Sequence, residues 1–367
     1  MMDLRSVAAG FAIPGTFVDA HPHGSGHINE TFVARFEQGA ERRRYIFQRL
    51  NRRVFPDPLA VMDNLQRVLS HLQAAWSATE VRHKTRRVQR LIPARTGAAY
   101  GSDADGEIWR CFDYIENSRS FDVAESPEQV RQAAFAFATF QKLLRDLPAP
   151  RLHETIPGFH DTPRRWRDLV AAVEADAANR AAGARTEIDF ALKREAWCGV
   201  LLDRQAAGVL RERVVHNDTK LNNVLLDEAT GEALCVIDLD TTMPGLSAWD
   251  FGDLVRSAGH RADEDETDPR QASVDVALFR ALVEGWRSAL GPDFPVEEAA
   301  ALLPGARVIT LECGMRFLAD HLSGDRYFKV RRPGQNLDRC RMHWALLRSL
   351  EQREEELERI AAASASR

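Results

Sequence analysis

The amino-acid sequence predicts an α+β protein in two lobes, a small antiparallel-sheet lobe followed by a larger, mainly helical one. Three observations carry this. Strand-like alternation marks the first hundred or so residues, and from Pro127 onward apolar residues recur mainly at helical spacing. The helical part is interrupted once, by "VVHNDTKLNNVLLD" beginning at Val214 and the strand that follows it.

The first lobe is placed at 1–116. Its strands are Thr31 to Phe36, Tyr45 to Gln48, Val88 to Leu91 and Glu107 to Phe112, with a helix from Pro58 to Leu72 that turns Leu59, Met62, Leu65, Val68, Leu69 and Leu72 to one side. The second lobe is placed at 117–367, with Asn117 to Ser126 as connector. A helix over Pro127 to Leu147 buries Val130, Ala134, Phe137, Phe140 and Leu144. Leu169 to Ala182 and Glu351 to Arg359 are expected as surface helices, and Ser364 to Arg367 as a frayed end. A sheet lobe followed by a helical lobe leaves a cleft between them, where ligands usually sit.

The 367 residues are 44% hydrophobic and 28% charged, enough for a sizeable core. A formal net charge of -5 argues against a nucleic acid or an anionic membrane as main partner. The five cysteines are widely spaced without a CxxC pair, which favours reduced thiols over a disulfide framework or a zinc site. No apolar run of about 18 residues is present for a bilayer span, and the start lacks a basic, then apolar, leader. A cytoplasmic monomer is expected.

The polar chemistry lies in the segment from Val214. His216, Asp218 and Asn223 stand in the spacing HxDxxxxN; Val224 to Leu226 is a strand, Asp227 to Gly231 a turn, and Ala233 to Ile237 a return strand ending in Asp238-Leu239-Asp240. The hairpin brings Asp238 back to Asp218 and Asn223. Phosphoryl transfer from a nucleotide needs a carboxylate to orient the attacking hydroxyl and take its proton, and oxygen ligands for a magnesium ion on the phosphates. Asp218 fits the first role; Asn223 and Asp238 fit the second, with Asp240 counted beside them. Hard oxygen donors suit Mg2+ rather than zinc. His216 is assigned a structural task, bonding backbone to hold the loop. Asp250-Phe251-Gly252 spells the DFG of protein kinases, but no strand precedes it and its spacing from Asp218 is too long, so Asp250 is expected to brace the loop or cap a helix.

His216-Asn217-Asp218 through Asn223, with Ile237-Asp238-Leu239-Asp240, resembles the aminoglycoside phosphotransferase and choline kinase superfamily, a relative of the protein-kinase fold. Four stretches narrow the resemblance to the N-acetylhexosamine 1-kinases: Gly24 to Thr31, Tyr45 to Asn51, the "HNDTKLNN" and "IDLDTTMPG" pair, and Glu312 to Asp320. This resemblance implies a protein-kinase-like two-lobed fold. It also implies transfer of the ATP γ-phosphoryl group to the anomeric hydroxyl of N-acetylglucosamine or N-acetylgalactosamine, with Mg2+. The anomeric hydroxyl is more acidic than other sugar hydroxyls, so Asp218 need not be a strong base.

Under the same resemblance Gly24, Ser25 and Gly26 cover the phosphates, although a plain hairpin explains those residues equally well. His27 and Asn29 face the sugar or phosphate, and the connector from Phe112 to Asn117, Glu116 included, lies along the adenine. Arg316 with Tyr327 contacts the sugar; an ion pair of Arg316 with Glu312, one turn earlier, is the structural alternative. One departure stands out. The strand position that usually presents lysine to the phosphates holds Gln48, leaving Arg49, Arg52, Arg53 or the metal to neutralise them. Another acceptor (an amino alcohol, homoserine or an aminoglycoside) and a non-catalytic nucleotide-binding regulator are the competing functions.

Overall fold

A computed structural model describes residues 4–24, 28–80, 83–263, 265–292 and 294–363. Three long strands, β1 (Thr16–Pro22), β2 (Glu30–Gln38) and β3 (Glu41–Arg49), form an antiparallel meander. Gly39, at φ 62°, supplies the positive φ that the two-residue turn between β2 and β3 requires. Two short strands, β4 (Leu91–Ile92) and β5 (Gly101–Ser102), pair with β6 (Ile108–Asp113), giving the order β1-β2-β3-β6-β4 with β5 alongside β6. Alternation sorts the residues by face. Ala34, Phe36, Tyr45, Phe47, Trp109 and Cys111 bury against the N-terminal helix Leu4–Ala9 and Phe11. The other face carries Thr31, Gln48 and Arg110 in one cross-strand row, beside Phe112.

The helix Pro58–Ser77 starts where Asp57 caps the amides of Leu59 and Ala60 at 3.1 Å each, with Pro58 in the first turn. It buries Met62, Leu65, Val68, Leu69 and Leu72 under the sheet, while Leu59 stays exposed. The Val88 to Leu91 segment pairs with β6 as a strand only from Leu91; before it, Arg87 lies over Trp76 on the helix Pro58–Ser77.

The helical lobe opens with Pro127–Leu143, capped by Ser126, and buries all five residues expected of it. Two small sheets interrupt the helices: β7 (Ser118–Arg119), β9 (Val224–Asp227) and β10 (Ala233–Val236) in one, β8 (Arg213–Val215) and β11 (Met243–Gly245) in the other. The Ala-rich helix runs Thr162–Ala175 rather than Leu169 to Ala182. It stops at Asp176, left-handed at φ 35°, whose carboxylate accepts from the amides of Arg180 and Ala181 at 2.7 and 2.9 Å and turns the chain. At the C-terminal end, Gln335–Gln352 and Glu354–Ala363 are separate helices that bury Leu350, Leu357 and Ile360; Ser364 to Arg367 lie outside the described residues. All five cysteines are free thiols. No described helix is long and apolar enough to cross a membrane.

Candidate active site

The loop after β8 is built around buried polar partners. His216 is fully buried between the edges of Phe137 and Phe140, with centroids at 5.2 and 5.8 Å. Its Nε2 lies 2.9 Å from the Ile237 carbonyl and its Nδ1 3.3 Å from the Asp218 amide, which fixes the tautomer with the proton on Nε2. Asp250, in the first turn of the helix Ser247–Ala258, accepts from the amides of His216 and Asn217 at 2.9 and 2.7 Å and from Gln141 Nε2 at 2.6 Å. The DFG aspartate is thus a brace under the loop, and Leu246 rather than Asp250 holds the cap position.

Held this way, Asp218 stands at the mouth of the loop with its side chain 21% exposed. Asn223 Nδ2 donates to the Asp218 carbonyl at 2.8 Å and carboxylate at 3.2 Å, and Lys220 Nζ is 3.4 Å from Oδ2 of the same group. The β9–β10 hairpin returns Val236 opposite Val224, and the Ile237 amide donates to the Asn223 carbonyl at 2.9 Å. The next residue, Asp238, is left-handed at φ 61°, a conformation unusual outside glycine.

Burial pushes the Asp238 carboxyl up to about 6, with repulsion from Asp240 and Asp218 adding to it and Arg110 and Lys220 opposing it. Among the described residues no hydrogen bond reaches this carboxylate, and Asn223 has spent its amide nitrogen on Asp218. The Asp238 carboxylate and Asn223 Oδ1 are therefore the oxygens left to take a hard cation. Among the described residues no three His, Cys, Asp or Glu side chains converge to hold a metal by themselves. Such a pair needs phosphate and water oxygens to complete it, as magnesium sites on nucleotides do.

Asp240 is occupied differently from the metal role expected of it. One carboxylate oxygen pairs with Arg110 and the other accepts from Asn29 Nδ2 at 2.6 Å. Asn29, expected toward the ligand, is thereby turned to Asp240 and to the Asn51 amide at 3.0 Å. Gln48 Oε1 accepts from Arg110 Nε and Nη2 at 2.9 and 2.7 Å. Arg49 is paired with Glu30, and Arg52 with the Gly106 carbonyl at 2.8 Å. The cation standing in the row with Thr31 and Gln48 is thus Arg110, which the sequence reading passed over. Its signal was present: "IWRCF" sets one charge in an apolar strand, which requires a buried partner.

A cavity of about 820 Å³ separates the lobes. Thr31, Ile46, Gln48, Arg110 and Phe112 roof it; Tyr114 and Ile115 line its back; Asn223, Ile237, Asp238 and Leu239 floor it. It continues past Lys220 and Asn222 to Arg256, Ser257, His260, Arg331 and His343. Gly24 lines it at φ 79°, and Ser25, Gly26 and His27 fall outside the described residues. Glu116 turns its carboxylate to Arg44, and its carbonyl accepts from Arg86 at 2.7 Å.

Arg316 is not among the residues lining that cavity. Its guanidinium lies 5.2, 5.9 and 5.5 Å from the ring centroids of Phe159, Tyr327 and Phe328. The alternative partner, Glu312, is taken by His160 Nδ1 at 2.8 Å and Thr162 Oγ1 at 2.6 Å, and His160 Nε2 faces the Asn217 carbonyl at 3.4 Å. Tyr327 is 58% exposed, on a turn whose amides from Arg326 to Phe328 all donate to Asp320. Lys220, His160 and Asp320 were not picked out by sequence reasoning, since only the folded chain shows what they touch.

Several solved structures share this architecture. One is a microcompartment-associated aminopropanol kinase: TM-score 0.62, 16% identity, covering 97% of this chain and 98% of that one. Another is an aminoglycoside phosphotransferase from Alicyclobacillus acidocaldarius: TM-score 0.61, 18% identity, 97% of each chain. A choline kinase from Cryptosporidium parvum matches with TM-score 0.54 and 13% identity over 94% of this chain and 91% of that one. At these identities the likeness is one of fold, the protein-kinase-like two-lobed fold. The family model described as the phosphotransferase enzyme family matches residues 19–291, a span that holds the sheet from Asp19 in β1 onward, the Asp218 loop, the hairpin to Asp238 and the Asp250 brace, and stops short of Arg316 and Tyr327. With the loop, the hairpin and all but the first residues of the sheet inside that match, which covers more than half of the chain, the chain belongs to the phosphotransferase enzyme family.

Proposed function

We propose that this protein is an ATP- and magnesium-dependent kinase that phosphorylates the anomeric hydroxyl of an N-acetylhexosamine, giving the sugar 1-phosphate. The observation that carries the kinase reading is the junction of Asp218, Asn223 and Asp238, where the Asn223 amide bonds to Asp218 and the hairpin folds Asp238 back beside both. Asp218 orients the acceptor hydroxyl and receives its proton late in a loose transition state. Lys220 neutralises the same carboxylate from one side and holds it in place. Asn223 and Asp238 would hold magnesium, which when bound shields the nucleotide phosphates and stabilises the charge that develops on them.

The acceptor assignment rests on the flanking motifs and on the charge balance of the cavity. A cationic acceptor calls for a carboxylate-rich chamber. In the helical extension Arg256 is paired with Asp253 at 2.7 Å and Asp265 is bonded to Gln335 and Arg339 at 2.9 Å, which leaves Arg331 to offset Asp263. Mixed donors and acceptors without net negative charge suit a neutral, polyhydroxylated ligand. An amino alcohol is the second reading, since kinases for aminopropanol and choline share the fold. Incubating the protein with ATP, Mg2+ and a panel of N-acetylhexosamines, amino alcohols and aminoglycosides separates them: N-acetylhexosamine should drive ATP consumption, and turnover confined to amino alcohols would overturn the sugar assignment. Asp218→Asn should lower kcat at least ~10³-fold with nucleotide binding retained.

A further inference from the structure

Asp240, two residues past Asp238, has no catalytic duty in the account above, yet it is one of the most tightly held carboxylates in the cleft. It is 3% exposed and its partner Arg110 is 1% exposed. Arg110 is on β6 and Asn29 directly precedes β2, so both of its side-chain partners belong to the sheet lobe. Each partner is itself fastened. Arg110 is gripped by Gln48, whose Nε2 donates to Thr31 Oγ1 at 3.1 Å, and Asn29 Oδ1 accepts from the Asn51 amide at 3.0 Å. From the helical side the Asp240 carbonyl accepts from Thr155 Oγ1 at 2.8 Å.

A buried ion pair of this kind gains little stability over well-packed apolar residues, because both charges must be stripped of water. What it does supply is a fixed, directional link, since a guanidinium addresses a carboxylate through a rigid fork. The link runs from the cleft face of the sheet to the turn that carries Asp238 at φ 61°. Three of the five guanidinium N–H donors are spent on Gln48 and Asp240, which locks the side chain.

We propose that Arg110, with Asn29 as its second arm, is a positioning residue that clasps Asp240 to the sheet and so sets the Asp238 turn at a fixed distance beneath the cleft roof. Its effect on turnover rests on the kinase reading; the clasp itself does not. Arg110→Met leaves Asp240 as an uncompensated buried carboxylate and lets the turn move, whereas Arg110→Met with Asp240→Asn removes both charges and restores a neutral contact.

The test pairs two readouts on wild type, Arg110→Met, Asp240→Asn and the double variant. Amide hydrogen exchange on the nucleotide-free protein should rise at least ~10-fold over residues 237–242 in Arg110→Met and fall back in the double variant. Steady-state kinetics should show kcat/KM for MgATP reduced at least ~10-fold in Arg110→Met, mostly through KM, with a large part recovered in the double variant. Exchange unchanged in Arg110→Met overturns the clasp. So does a double variant no better than Arg110→Met, which would make Arg110 a direct phosphate contact. If exchange responds as stated while the wild type transfers phosphate to no acceptor, the clasp stands and the kinase reading falls. Should Arg110→Met not fold, Asn29→Ala takes its place and should raise exchange over the same residues severalfold; no rise overturns the proposal.

Discussion

Asp218, Asp238, Asp240 and Asp250 lie within one short stretch of chain, and their surroundings give each a different task. Asp250 satisfies two backbone amides and Gln141, so Asp250→Ala strands three buried donors and should lower the free energy of unfolding by about 3 kcal/mol or more in urea titration. Among the described residues Asp238 has no such partners. Asp238→Asn, which keeps a side chain that tolerates φ 61°, should leave stability nearly unchanged and weaken binding of the magnesium nucleotide in calorimetry, the reverse of the Asp250 pattern. Another residue gives a pH signature. Burial, with Arg256 nearby, holds the His260 imidazole down to about 4 from an ordinary value of 6.5, and its Nδ1 accepts from the Ala262 amide at 3.1 Å. The unfolded chain therefore binds more protons than the native one between those values. The stability His260 gives is full above pH 6.5 and is lost as pH falls toward 4, by about 3 kcal/mol at most. Melting curves across that range should show a smaller acid loss in His260→Gln than in wild type. The motif spelling made Asp218 and Asn223 legible from sequence, because their bonds are local. Arg110 and Asn29 were not, because their common partner, Asp240, lies more than a hundred residues along the chain.

Between elements, the DFG lookalike acquires a packing explanation. Phe251 is buried edge-on to Phe279 and Trp286, with centroids at 6.0 and 5.5 Å. Gly252 lies against Gly305 on the helix Leu302–Leu322, where an added Cβ would come 2.3 Å from the Gly305 carbonyl oxygen. Backbone cannot yield like a flexible side chain, so Gly252→Ala should push these helices apart and cost roughly 3 kcal/mol, visible as a lowered Tm. The tripeptide thus serves a helix crossing and a loop brace. Elements with strong punctuation could be read from sequence: Asp57-Pro58 and Ser126-Pro127 announce their helices, and the hydrophobic spacing behind them fixes the buried face. The Thr162–Ala175 helix was misplaced because an alanine run favours helix without marking its phase or its end. The end is set instead by the Asp176 carboxylate bonding to amides beyond it.

Across the whole molecule, the cleft is held from several directions. Asn64 on the helix Pro58–Ser77 donates to the Thr242 carbonyl at 3.1 Å, close to where Arg110 and Asn29 grip Asp240. A sheet lobe and a helical lobe could be expected from composition and periodicity alone, but the stitching between them is a product of the fold. The kinase reading depends on that stitching, because Asp218, Asn223 and Asp238 act only if the sheet roofs them at the right height. The acceptor reading depends on the balanced charge of the chamber beyond Lys220. Both meet in the position of the transferred phosphate. Phosphorus NMR of the product formed from ATP, Mg2+ and N-acetylglucosamine or N-acetylgalactosamine should show a phosphate coupled to the anomeric proton, and no such product with Asp218→Asn. A phosphate on any other oxygen, or an anomeric phosphate formed undiminished by Asp218→Asn, would contradict the account.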